Sequence, residues 1–220
     1  MGIRSAVRFC IIAAALYIQP EVEGAQTGED PGSGSADISS AVEVPQGVLF
    51  GEFSEEDGPL LLKGSVIVPS GEQLVLNPGV KVYIGGEYST ITVFEQMIVQ
   101  GSERRPVVFQ SAKDDPEKWD WDRIYIRSRK LSILNHCIVK HSNYGLYIEN
   151  SRVNIKGMAF EKNSIHGMVV RNSKVNMRNT VFKGGHVGAL FCSAGADVSA
   201  DSCSFTYNNT GVICAPRTTV

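Results

Sequence analysis

The second half of this 220-residue chain repeats itself, and no other feature limits the possible folds as sharply. Gly145 opens GLYIENS, Gly167 opens GMVVRNS, Gly188 opens GALFCSA and Gly211 opens GVICAP, at spacings of 22, 21 and 23 residues. A second column runs Leu131, Val153, Val175 and Val198, each followed two residues later by Ile133, Ile155, Met177 and Ala200. A third runs Ile138, Phe160, Phe182 and Phe205. Apolar and polar residues alternate within each stretch, the period of a strand with one buried face. About three short strands per unit, with Gly, Asn, Ser and Lys at the corners, predict a solenoid. Stacked coils would hold equivalent residues about 4.8 Å apart. The Leu-rich strand and the helix-compatible half of a leucine-rich repeat are missing.

The first half adds turn motifs to the repeat. Val66, Val68, Pro69 and Gly71 form a Val-x-Val-Pro-x-Gly turn, and Asn77, Pro78 and Gly79 form a second. Gly101 and Ser102 lead to Pro106, Val107 and Phe109 in a Pro-Val-x-Phe run. With these motifs, residues 60 to 214 resemble the right-handed parallel β-helix of the pectin-lyase-like superfamily, and within it secreted non-catalytic β-helix repeat proteins. The resemblance implies an all-β solenoid of about seven coils, each of roughly 22 residues. It implies no single function, because lyases, hydrolases, adhesins and spacers share this fold.

Residues 1–24 read as a secretory signal peptide: Arg4 and Arg8, an apolar run from Phe9 to Ile18, then Pro20 and small residues before a cleavage after Gly24. The expected product is secreted, periplasmic or held at the cell surface, with no transmembrane segment in the mature chain. Residues 25–45 are rich in Gly, Ser, Asp and Glu and read as a flexible acidic linker before a β-helix spanning 46–220. KDDPEKWDWD, 113–122, interrupts the pattern as a loop insertion. Soon after the last coil begins the chain stops, so an open end is expected that continues in a longer chain or docks another subunit.

Charge divides along the chain. Residues 25–122 hold 6 Lys and Arg against 17 Asp and Glu, a balance of -11, whereas residues 123–190 hold 12 against 2, a balance of +10. The basic residues recur at coil spacing. Arg152 with Lys174, and Lys156 with Arg178, form two outward cationic ladders that Asp197 and Asp201 end one coil later. Such ladders favour an anionic polysaccharide as partner, with Arg152, Lys156, Arg171, Lys174 and Arg178 as the candidate contacts and no role for nucleic acid. Trp119 and Trp121, two residues apart, would add a sugar-stacking platform if extended. Asn150 and Asn172 are equivalent and predict a corner ladder of stacked amides.

Cleavage of polysaccharide would need converging carboxylates on one outer face, either a paired acid and base or a Ca²⁺ cluster beside a proton-abstracting Arg or Lys. Glu149 and Glu161 are the only acids in 123–190, in different columns. Asp114, Asp115, Asp120 and Asp122 could at most form a loop Ca²⁺ site; no cofactor is expected. His136 is expected in a core column with Met158, Thr180 and Cys203. The four exported cysteines, Cys137, Cys192, Cys203 and Cys214, share no column in this register and are expected as buried thiols. The favoured reading is an exported, non-catalytic surface, adhesive or scaffolding module. A lyase or glycoside hydrolase acting from irregular loops, and a carbohydrate-binding module of a larger assembly, stay open beside it.

Overall fold

The computed structural model describes residues 38–216 and 218–220. The expected signal peptide, 1–24, and the greater part of the expected linker, 25–37, lie outside the described residues. The described chain winds through three sheets in the fixed order A, B, C. Sheet A runs from Val42–Val44 to Ser204–Thr206, sheet B from Gly47–Val48 to Val212–Cys214, and sheet C from Gly51–Phe53 to Asp197–Asp201. They hold 8, 8 and 7 strands, all parallel, each hydrogen-bonded to the equivalent strands of the coils before and after it. A 3₁₀ turn at Glu55–Asp57 is the one helical element among the described residues.

The solenoid therefore has eight coils, one more than the repeat alone suggested. Val42–Val44, inside the expected linker, pairs with Leu60–Leu62 as the first strand of sheet A, and Val44 is buried. Three residues between Ala41 and Pro45, the middle one Glu43, are too few to show a period; the neighbouring strand decides their conformation.

Inward columns run the length of the molecule. Phe160, Phe182 and Phe205 stack at 4.8 and 5.0 Å between ring centroids, with interplanar angles of 10° and 3°. Val153, Val175 and Val198 are in register beside Ile155, Met177 and Ala200. At the preceding coil the expected register is one residue out. Ser132, not Leu131, lies beside Val153, Leu134 lies beside Ile155, and Val139, not Ile138, lies beside Phe160. A one-residue slip exchanges the faces of a strand, so Leu131 and Ile133 stay half-exposed while Ser132 and Leu134 are buried. The buried Ser132 is not orphaned, because its Oγ accepts from the Met97 N–H at 3.2 Å.

The same slip moves His136 out of the core. Cys137 takes the inward place expected for it, beside Met158, and His136 sits half-buried at a corner with φ 45°. The glycine column also needs correction at one coil: Ala189, not Gly188, continues Gly145 and Gly167, and Gly188 pairs with His166. A Cβ at Gly167 would lie 2.7 Å from the Phe182 ring, which is why this column admits only the smallest residues.

Cysteine placement changes with the register. Cys192 and Cys214 are direct partners on adjacent strands of sheet B and so share a column. Cys137 and Cys203 share one inward column, three coils apart. All four are free thiols. Among the described residues no helix is long and apolar enough to cross a membrane.

Candidate functional site

The corner between sheets B and C is made of residues 150–151 and 172–173 in two successive coils and of residues 193–196 in the next. Asn150, Asn172 and Gly195 take the left-handed conformation there, with φ of 50°, 43° and 79°. Asn and Gly tolerate this region where most residues are strained. The Asn172 amide donates to Asn150 Oδ1 at 2.6 Å along the axis. Just inside, the Ser128 N–H donates to Ser151 Oγ at 2.8 Å and the Ser151 N–H to Ser173 Oγ at 3.0 Å. An exposed amide ladder over a buried hydroxyl ladder makes this corner a stiff spine between two outer faces.

On the sheet C side, Arg152, Lys174 and Asp197 are in register, as are Lys156, Arg178 and Asp201. Between these rows the Asn176 amide donates to Asn154 Oδ1 at 3.1 Å. Like charges one strand apart repel, and the acids of the following coil offset one end. Lys174 Nζ lies 3.1 Å from Asp197, and Arg178 Nε 3.6 Å from Asp201. Among the described residues, Arg152, Lys156 and Arg129 form no ion pair. A shallow groove of about 470 Å³ follows the corner, lined by Arg129, Asn150, Arg152, Asn172, Lys174 and Asp197.

On the sheet B side, outward residues form a grid. One coil presents Arg123, Tyr125 and Arg127; the next presents Tyr144, Tyr147 and Glu149; then come His166, Val169 and Arg171, and then Gly188, Phe191 and Ser193. The Arg123 guanidinium lies 4.3 Å from the Tyr144 ring centre and 5.1 Å from that of Tyr147. Tyr125 Oη donates to one oxygen of Glu149, and Arg171 Nε lies 3.5 Å from the other. Burial first, and the Glu149 carboxylate second, push the Tyr125 phenol above its ordinary range. Arg171 therefore belongs to this second face, not to the sheet C ladders.

The tryptophans do not form a platform. Trp119 is 48% exposed, whereas Trp121 is 0% exposed and its indole N–H donates to the Lys140 carbonyl at 3.0 Å. The expected insertion ends two residues early, because Trp121 and Asp122 open the strand Trp121–Ile126. A large aromatic inside the coil is worth more to the fold than a second ring on the loop. The acids of this segment are drawn apart as well. Asp120 is buried, which alone would raise its pKa; hydrogen bonds from Lys113, Ser111 and the Glu117 N–H outweigh that and hold it below the carboxylate range. Asp122 faces Arg123 at 2.7 Å. Among the described residues no three His, Cys, Asp or Glu side chains are grouped to hold a metal ion.

Chemically, this corner sets stacked cations beside exposed amides. On both faces the carboxylates near the groove, Glu149, Asp197 and Asp201, each face a cation, and Glu149 also accepts from a phenol.

A family model described as the right handed beta helix region matches residues 117–219. The match covers the coils that carry both faces. The fold is a right-handed parallel β-helix. The pectin-lyase-like superfamily is consistent with this β-helix. No curated protein and no solved structure matched it in the corresponding comparisons.

Proposed function

We propose that this β-helix is an exported, non-catalytic module that binds an anionic polysaccharide along its B–C corner. One observation carries the reading: Arg152 over Lys174 and Lys156 over Arg178 are in-register cation pairs one strand spacing apart. Cations stacked at about 4.8 Å repel each other. A polyanion with regularly spaced charges relieves that repulsion and gains from every rung. The Asn154–Asn176 and Asn150–Asn172 amides lie between and beside the ladders, where sugar hydroxyls would meet them. Asp197 and Asp201 bound the patch at one end, giving the ligand a register instead of an unlimited track.

Heparin supplies a suitable polyanion for the test. Residues 38–220 should bind it with an affinity that falls steeply as salt rises from 50 to 300 mM (assay settings). Lys156→Glu with Arg178→Glu should weaken binding by about tenfold or more and flatten the salt slope. Unchanged affinity and slope in that double variant would refute the reading. Export is tested separately: N-terminal sequencing of protein recovered outside the cytoplasm should begin near Ala25, and an intact Met1 there would overturn that part.

A further inference from the structure

One inward column of sheet B changes its chemistry at the end. Val68, Val93, Ile126, Ile148 and Val170 follow one another in register, each fully buried and each β-branched. The next two members are Cys192 and Cys214. A further aliphatic side chain would continue the packing at either place, as in the five coils before. Two successive thiols instead bring a reactivity that packing does not require.

Their geometry suits a covalent bond. In-register residues on neighbouring parallel strands lie about 4.8 Å apart, with side chains on the same face. A disulfide spans about 4.4–6.8 Å between Cα atoms and asks the Cβ atoms to approach within about 4.5 Å. The strand Val212–Cys214 can supply that small movement, because among the described residues it has a sheet neighbour on one side only. The other two cysteines are placed differently. Cys137 and Cys203 share a column of sheet A but lie three coils apart, about 14 Å and beyond the reach of a disulfide.

Exposure sets the order of events. Cys214 is open to solvent and Cys192 is buried. Burial, and then the neighbouring Cys214 thiol, push the Cys192 thiol up to about 12. A soluble disulfide RSSR therefore meets Cys214 first. The Cys214 thiolate attacks one sulfur, forms a mixed disulfide and releases RS⁻. Cys192, once deprotonated, attacks the Cys214 sulfur, closes the Cys192–Cys214 bond and releases the second RS⁻. The protein loses two protons and two electrons, and RSSR becomes two RSH.

We propose that Cys192 and Cys214 form a thiol–disulfide exchange site, which a low-molecular-weight disulfide converts into a covalent clasp across the last described coil. The clasp encloses the strands Asp197–Asp201 and Ser204–Thr206. It therefore ties down the coil whose acids end the cationic ladders. Closing a loop of this size disfavours the opened coil by on the order of a hundredfold. The inference stands apart from the polysaccharide reading, since both thiols belong to an inward column and to neither outer face.

The full chain carrying Cys10→Ser leaves Cys137, Cys192, Cys203 and Cys214 as its thiols. Reduced protein is incubated with oxidised glutathione at mildly alkaline pH, quenched with acid, and mapped by digestion and mass spectrometry without reductant. A single bond, Cys192–Cys214, should form while Cys137 and Cys203 stay free. The glutathione adduct at Cys214 should appear first and then fall at least about tenfold below the linked form. In Cys192→Ala that adduct should persist, and Cys214→Ala should give neither product. On oxidation of the parent, amide hydrogen exchange across 197–214 should slow by about tenfold or more, while that of 60–140 stays within about twofold. Cys214→Ala should show no slowing. A persistent adduct at Cys214 in the parent, a bond that uses Cys203 or joins two chains instead, or exchange unchanged by the bond would overturn the proposal. Cys214 is exposed, so Cys214→Ala keeps the comparison decisive even where Cys192→Ala does not fold.

Discussion

At the scale of single residues, the solenoid depends on side chains that make the corners possible. Three corners per coil turn through the left-handed region: His136, Gly157, Asn179 and Ser202 at one, His141, Lys162, Gly184 and Tyr207 at the second, Asn150, Asn172 and Gly195 at the third. Only Asn and Gly take that region cheaply. Asn172→Ala should cost about 1–2 kcal/mol, from the backbone conformation and from the lost amide contact to Asn150. Asn172→Gly keeps the backbone and should cost less than the alanine. Urea unfolding of the two variants checks the order, and a glycine as damaging as alanine would show that the conformation is not the cause.

His141 joins its corner geometry to a pH response. It is 5% exposed, with an Nδ1 that has no partner. Burial first, then Lys140 and Lys162, bring its pKa from 6.5 down to about 4, against a smaller opposing pull from Asp120. Above pH 6.5 neither the folded nor the unfolded chain protonates this ring, so stability is full there. As pH falls from 6.5 toward 4, the unfolded chain takes a proton that the folded one refuses. Stability should then fall by up to about 3 kcal/mol. His166, also depressed by burial, acts in the same direction. Asn tolerates the φ of 67° at this position, so His141→Asn should fold and lose part of the decline between pH 7 and 4.5. An unchanged decline, measured by urea unfolding at both values, would remove His141 from the explanation.

Cysteine reactivity follows the same logic of burial. Cys137 and Cys192 are buried, and the Cys192 thiol is pushed up to about 12 by burial and then by its neighbour Cys214. Cys214 itself is exposed. A maleimide reagent should label Cys214 in the native protein within minutes and reach Cys137 and Cys192 only after unfolding. Rapid native labelling of Cys137 would contradict the inward column in which it lies.

At the scale of strands, the phenylalanine column shows what the repeat made legible and what it hid. Phe160, Phe182 and Phe205 recur in plain sight, and their stacking follows from the spacing. Phe182 is buried between the other two, so Phe182→Ala should cost about 3–5 kcal/mol. Phe205, half-exposed at the last coil, should cost clearly less. Equal losses on thermal unfolding would mean that the end of the column is as tightly packed as its middle. Leu131-Ser132-Ile133-Leu134 was harder to read. Its alternation reveals a strand, but the buried pair is Ser132 and Leu134, because Ser132 has the Met97 N–H to satisfy it. Hydrophobicity alone favours the wrong face. The aromatic grid escaped for a related reason. An irregularity sets Arg123 beside Tyr144 but Ile124 beside Leu146, so Gly145 is one residue beyond the alternation and Tyr144 and Tyr147 both point outward. The one cue was a Tyr or Phe at matching positions 125, 147 and 191, which shows only once the register is known.

At the scale of the molecule, each strand pairs only with the equivalent strands of adjacent coils, so the fold is close to one-dimensional. Stability in such an array is a chain of coil–coil interfaces, and a break at one interface need not propagate past it. Val175 is a suitable place to break it: 0% exposed, in register with Val153 on one side and Val198 on the other. Val175→Asp puts a carboxylate among apolar side chains, at a cost of several kcal/mol. The coils that follow have only their own interfaces to oppose that cost, and of their terminal column members Phe205 is already half-exposed and Cys214 exposed. The coils before it keep every interface they had. Trp121 reports on those earlier coils, since its indole is buried and tied to Lys140. In the variant, circular dichroism should therefore lose a minority of its β signal at low urea, while Trp121 fluorescence unfolds near the parent midpoint. The parent should show one coincident transition by both probes. Coincident loss of both signals in Val175→Asp, at a lowered midpoint, would mean that the eight coils act as one cooperative block and that the nearest-neighbour description fails.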